Sequence, residues 1–194
     1  MSDYLPLPCN FNQISEVIVL GDFIVARLER GICFAFNRYS KETLILNKNK
    51  RETIKSTFLN LVNNSIFIVS VKQNANTPYL SSMQCRSVSL KNLEEGDTQG
   101  QRLFGNFTLQ YPDFVEVDDL NRKVVTKHSQ DKCFRVWDLG TYEMLYVLRH
   151  DYLYEFKICN GVMLLMFDQV ENSMPMTILN VHTGKPIMNF CYQK

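Results

Sequence analysis

KVVTKHSQDKCFRVWDLGTYEMLYVL, Lys123 to Leu148, reads as three strands joined by two tight turns. Val124-Val125 and Phe134 to Trp137 are short apolar, β-branched and aromatic runs, and Ser129-Gln130-Asp131 and Gly140-Thr141 between and after them are turn formers. Turns this short join neighbouring antiparallel strands. Outward from this stretch the pattern repeats. It recurs before it as GDFIVARLERGICFAFNRYSKETLIL, from Gly21, and after it as NGVMLLMFDQVENSMPMTILNVHTGKPIMNF, from Asn160 to Phe190.

The copies align at the polar residue that ends the third strand of each: Asn37, Asp138 and Asn180, followed five positions later by Glu42, Glu143 and Lys185. A weaker copy, SIFIVSVKQ with SMQCRSVSLKNLEEG, puts Ser89 at that place, giving intervals of 52, 49 and 42 residues. A first strand precedes each unit, at Glu16 to Leu20, Thr57 to Leu61, Phe114 to Asp118 and Tyr154 to Ile158. No segment sustains the i, i+3, i+4, i+7 pattern of a long helix. Intervals of this size fit four-stranded propeller blades. The expected fold is all-β and β-propeller-like: four four-stranded antiparallel blades, at about 14–47, 54–104, 113–148 and 153–190, after an N-terminal segment 1–13. Four blades with no evident closing strand predict an open or incomplete ring from a truncated or alternatively spliced chain. Its terminal faces then stand open to self-association or to a partner.

Val125-Thr126, Ser129-Gln130-Asp131, Phe134 to Leu139 and Thr141 resemble the core of a WD-repeat blade. The resemblance implies a hydrogen-bonded set in which Trp137 meets the Thr126 hydroxyl, Asp131 in the turn and a His from the loop before the first strand, with Asp138 completing the Trp-Asp pair. Before the third blade the Gly-His pair is replaced by Gly105-Asn106, and before the fourth blade Arg149-His150 supplies a His. A member of this family is expected to act as a non-catalytic scaffold for protein partners. The alternative is an enzyme or metabolite-binding propeller whose site leaves no mark in the sequence.

Composition narrows the classes further. Twenty-one Lys and Arg against 20 Asp and Glu leave a net charge of +1, without a polybasic or acidic tail, and 45% hydrophobic residues describe a folded chain. One domain is the default for this length. The longest strongly apolar run, Val162 to Phe167, is six residues, far short of the roughly 20 of a spanning helix, so no membrane association is expected. The N-terminal MSDYLPLPCNFNQ carries an acidic residue and two prolines where a signal peptide needs a basic start and an apolar run, so export is not expected. Cys9, Cys33, Cys85, Cys133, Cys159 and Cys191 occur singly, and are read as reduced, mostly buried thiols of an intracellular protein, cytoplasmic or nuclear. The sequons at Asn63 and Asn106 then have no use.

Candidate chemistry is sparse. His128, Ser129 and Asp131 crowd one turn, where a nucleophile, base and orienter do not converge, and they read as turn formers. His150, Asp151 and His182 lack zinc-site spacing. No phosphate loop or dinucleotide fingerprint occurs, and Gly184-Lys185 lies in a turn. No catalytic, cofactor or metal residue is assigned. Asn47 to Arg51 reads as a solvated loop, not a nucleic-acid patch, since it lacks stacking aromatics. Lys91 to Gln101 and Asn74 to Ser82 read as variable loops. The expected core is Phe36, Trp137, Ile178 and Leu179 with Ile24, Ile68, Val124, Val125, Leu164 and Met166. Cys33, Cys133 and Cys159 lie beside them, and Met163, Met166, Met174, Met176 and Met188 fill gaps.

Overall fold

A computed structural model describes residues 13–47, 49–73, 81–105, 109–110, 114–128, 133–149 and 151–193, with backbone alone for 109, 110, 114 and 128. The first sheet is β1 (Ile14–Leu20), β2 (Phe23–Leu28), β3 (Cys33–Asn37) and β4 (Thr43–Ile45). The second is β5 (Glu52–Asn60), β6 (Ser65–Gln73) and β7 (Ser81–Ser89), then a short helix α1 (Leu90–Glu94) and an outer strand in two pieces. Those pieces, β8 (Gln101–Leu103) and β9 (Leu109–Gln110), both pair with β7. The third sheet is β10 (Phe114–Asp118), β11 (Lys123–His128), β12 (Cys133–Asp138) and β13 (Met144–Arg149). The fourth is β14 (Leu153–Cys159), β15 (Val162–Phe167), β16 (Ser173–Asn180) and β17 (Pro186–Gln193). Every sheet is an antiparallel meander in chain order, the form of a propeller blade. Among the described residues no helix is long and apolar enough to cross a membrane.

The five-residue spacing of the sequence repeat is a hydrogen bond. The backbone N–H groups of Asn37, Asp138 and Asn180 donate to the carbonyls of Glu42, Glu143 and Lys185, each at 2.9 Å. The side chain of the same residue shapes the turn. Oδ1 of Asn37 accepts from the N–H groups of Tyr39 and Ser40, that of Asp138 from Gly140 and Thr141, and that of Asn180 from His182 and Thr183. Such an Asx turn requires a short side-chain acceptor at that one position. The chain then reverses through a residue of positive φ, Lys41, Tyr142 or Gly184. Ser89 does the corresponding work for α1: its Oγ accepts from Asn92 N–H, and Asn92 Oδ1 accepts from Ser89 N–H, a capping box. The residue after each of the four also ties the hairpin below it, Arg38, Leu90, Leu139 and Val181 donating to the carbonyls of Asp22, Asn64, Arg122 and Gly161.

The chain forms two compact units, Met1–Tyr111 and Pro112–Lys194, each holding two sheets. In the first, Cys33, Ala35, Val25, Phe23 and Leu20 of the first sheet pack on Ile54, Ile66, Ile68 and Val88 of the second. Polar ties reinforce that contact. The Glu16 carboxylate accepts two bonds from the Arg27 guanidinium and two from the N–H and hydroxyl of Thr57. Burial pushes this carboxyl up, yet those donors outweigh burial and hold it below the ordinary glutamate value. Asn47, read from sequence as part of a solvated loop, is a half-buried junction: Oδ1 accepts from Cys33 N–H, and Nδ2 donates to the carbonyls of Gly31 and Glu52. In the second unit, Val125, Val136 and Phe134 of the third sheet pack on Met163, Leu165 and Leu179 of the fourth. Asn121 locks two hairpins together, donating to Cys159 O and accepting from Gly161 N–H.

Several sequence expectations need correction. Phe36, Ile68, Val124, Val125, Trp137 and Leu179 are buried, whereas Ile24, Ile178, Leu164 and Met166 are only half-buried. In β15 the buried residues are Met163 and Leu165, one position out of register with the expected pair. Every residue of VMLLMF is apolar, so no alternation marks its inner face. Lys91 to Gln101 holds most of α1 and the start of β8 rather than a plain loop. The fourth sheet continues past Phe190, since β17 runs to Gln193. Met188 lies exposed, not in the core.

Cys159 is exposed as well, because it ends an outward-facing run at the β14–β15 turn, and Cys191 is exposed on β17. Cys33, Cys85 and Cys133 are buried free thiols, and burial pushes Cys33 and Cys85 up to about 12. Iodoacetamide is expected to modify Cys159 and Cys191 in the folded protein and to spare those three until the chain unfolds. Peptide mass spectrometry checks this, and labelling of Cys33 in the native state would contradict it.

Candidate interaction surface

Within the third sheet, Val124 pairs with Trp137 and Thr126 with Arg135 across β11 and β12, which places Thr126 and Trp137 on one face, diagonal to each other. Trp137 Nε1 donates to Thr126 Oγ1 at 2.9 Å, with the hydroxyl wholly buried and the indole 4% exposed. Asp138 sits on the opposite face at the strand end and holds the turn described above, with Lys123 Nζ 3.7 Å from its other oxygen. Burial pushes its carboxyl up, but the N–H groups of Thr141 and Gly140 and the Lys123 ammonium leave it below the ordinary aspartate value. Asp131 and His150 lie outside the described residues, as do Ser129, Gln130 and the His128 side chain. Among the described residues no three His, Cys, Asp or Glu side chains gather as metal ligands. Among the described residues the arrangement consists of a buried indole–hydroxyl bond and a capped turn.

The fourth sheet has two unlike faces. Counted back two and four residues from the polar end residue, the third strand of the first sheet carries Ala35 and Cys33, and that of the third sheet carries Val136 and Phe134. Each of these faces packs on the sheet that follows it in its unit. The same face of the fourth sheet carries Ile178 and Met176, continues through Met166 on β15, and extends to Met188, Phe190 and Tyr192 on β17. It stays open. Met188 is 56%, Phe190 39% and Tyr192 57% exposed, and β17 from Pro186 to Gln193 contains no charged residue. Sequence reading anticipated exposed terminal faces but assigned these methionines to the core, because composition does not reveal which face a strand turns outward.

On the other side of β16 a groove of about 1080 Å³ opens between β13 and the outer half of the fourth sheet. Leu148, Leu153, Leu165, Phe167, Thr177 and Leu179 line it, Arg149 and Asp168 stand at it, and Met176 and Phe190 of the open face reach its border. Beside the groove the Tyr146 hydroxyl donates to Val181 O at 2.7 Å, and burial pushes the phenol up to about 12. Gly184, at φ +68°, lets this ring lie where a Cβ would come within 2.7 Å of it. The groove was not legible in the sequence, since its walls come from separate sheets.

Four meander sheets and a surface of open apolar groups, without a described constellation of titratable groups, define an all-β, propeller-like protein. The chain belongs to the family described as domain of unknown function DUF7899, which matches residues 2–193. No curated protein matches its sequence. Among solved structures it is similar to the computationally designed Ika8 protein, at 12% identity and a TM-score of 0.43, over 91% of this chain and 48% of that one. It is also similar to a protein of unknown function from Bacteroides caccae, at 8% identity and a TM-score of 0.41, over 95% and 63%. A third is dihydro-heme d1 dehydrogenase NirN in complex with DHE, at 8% identity and a TM-score of 0.47, over 93% and 38%. The chain thus spans less than two thirds of each of these structures.

Proposed function

We propose that this protein is a non-catalytic protein-interaction scaffold of WD-repeat type. The observation that carries the reading is the open face of the fourth sheet, Met176, Ile178, Met188, Phe190 and Tyr192, equivalent in register to faces that bury against a neighbouring sheet elsewhere in the chain. An apolar patch of this kind is expected at a site of protein contact, and methionine adapts to varied partners. The Trp137–Thr126 bond and the Asp138 turn support the WD-repeat likeness. Five free cysteines among the described residues support a reducing compartment, cytoplasm or nucleus.

The isolated chain is therefore expected to self-associate through this face or to bind a hydrophobic dye there. Sedimentation velocity with dye fluorescence tests it on the wild type and on Met188→Lys/Phe190→Lys, whose exposed positions tolerate charge without loss of the sheet. The double variant should sediment as a monomer with little dye signal and an unchanged circular dichroism spectrum. A wild type that is monomeric at all concentrations and dye-silent would sink the reading.

A further inference from the structure

Three residues before the polar end of each third strand stand Phe34, Arg86, Arg135 and Thr177. In the first unit, Arg86 fills the wedge between its two sheets. Its guanidinium donates to the Glu52 carboxylate and to the carbonyl of Leu46, and both charged side chains are almost wholly buried. Strand register locates the corresponding groups of the second unit. Leu46 follows the β4 residue opposite Phe34, and Leu148 follows the β13 residue opposite Arg135. Ile54 and Leu153 each precede the irregular residue of their first strand, so Glu52, two residues earlier, corresponds to Asp151. The frame that holds Arg86 is thus repeated in the second unit as Leu148 and Asp151, while the arginine itself is replaced by Thr177.

Thr177 lines the groove beside Leu148, and its short side chain turns to Asn189, with Oγ1 donating to Oδ1 at 2.7 Å. Charge differs in the same sense. The wedge of the first unit pairs one carboxylate with one guanidinium. In the second unit the carboxylate that corresponds to Glu52, Asp151, receives no guanidinium from the Thr177 position, while Arg149 and Asp168 stand exposed at the groove. The remaining walls are apolar, and a groove of this volume takes a few residues of polypeptide.

We infer that this groove binds a partner polypeptide segment carrying an arginine between apolar residues, its guanidinium taking the place that Arg86 fills in the first unit. The inference rests on the interaction-scaffold reading and names the chemistry of one partner. A guanidinium suits the site because its planar fork can meet a carboxylate and a backbone carbonyl together while its aliphatic stem lies along Leu148 and Leu165.

The test uses the isotopically labelled full chain and two probes, acetyl-Leu-Arg-Leu-amide and its citrulline analogue, which keeps the shape and removes the charge. The arginine peptide should shift the amide resonances of Leu148, Leu153, Thr177 and Leu179, with the citrulline peptide about tenfold weaker. Asp151→Asn or Asp168→Asn should weaken only the arginine peptide. Thr177→Arg should supply the missing side chain from within, abolishing peptide binding and raising the thermal midpoint. Equal binding of both peptides, binding elsewhere, no binding to the wild type, or a folded Thr177→Arg variant that still binds would overturn the inference. If neither peptide binds while Met188→Lys/Phe190→Lys still abolishes self-association, this inference falls and the scaffold reading stands.

Discussion

Replacing Trp137 by alanine is expected to cost about 3–5 kcal/mol, a large share of the stability of a domain of this size. The side chain is the largest in the third sheet and is buried beside Val124 and Thr126, both wholly buried. Truncation leaves a void there, and it also takes from Thr126 Oγ1 the donor that lies 2.9 Å away. Thr126→Val removes the hydroxyl and leaves the buried indole N–H without that acceptor, and should cost about 1–3 kcal/mol with little change in packing. Denaturant unfolding followed by circular dichroism separates the two, since Trp137→Ala deletes the one fluorescent indole. A midpoint for Trp137→Ala close to wild type would show that the indole is not a packing element.

The second large effect is at the charged pair of the first unit. Arg86→Met should destabilise by about 3–5 kcal/mol, because it leaves the buried Glu52 carboxylate without its guanidinium and the Leu46 carbonyl without that donor. Replacing both partners, Arg86→Met with Glu52→Leu, should recover most of the loss. Two apolar side chains need no desolvation, whereas bringing two charges out of water costs much of what their attraction returns. A double-mutant cycle in guanidinium chloride measures this. A double variant as unstable as Arg86→Met alone would show that the arginine works by its shape against Leu46 and not by its charge.

The difference between these two sites explains what could be read from the chain alone. Trp137 and Thr126 lie in consecutive strands joined by one hairpin, so a local motif reports their meeting. Glu52 and Arg86 are 34 residues apart and meet across a sheet, and no spacing rule connects them. The repeat was legible because Asn37, Asp138 and Asn180 each hold a turn that admits few other side chains. The helix behind Ser89 carried the signal Ser89-Leu90-Lys91-Asn92, but a five-residue helix is too short to show a period. Faces were legible where polar and apolar residues alternate and illegible in β15, where they do not. The groove eluded sequence reading for a different reason. It is marked by Thr177 standing where an arginine stands in two other sheets, and that comparison needs a strand register.

The meander order has a consequence for how the molecule is made. Apart from the short β9, each strand pairs with its neighbour in the chain. Nearly all backbone bonding is therefore between segments a few residues apart, which keeps the entropy of loop closure small and favours fast local pairing. On the ribosome, where synthesis is slower than hairpin formation, each sheet can zip up as soon as its fourth strand has left the exit tunnel. The first unit can therefore complete its core while the Met-rich strands of the fourth sheet are still being translated. The open apolar face of the fourth sheet is then formed only after the first unit has its core.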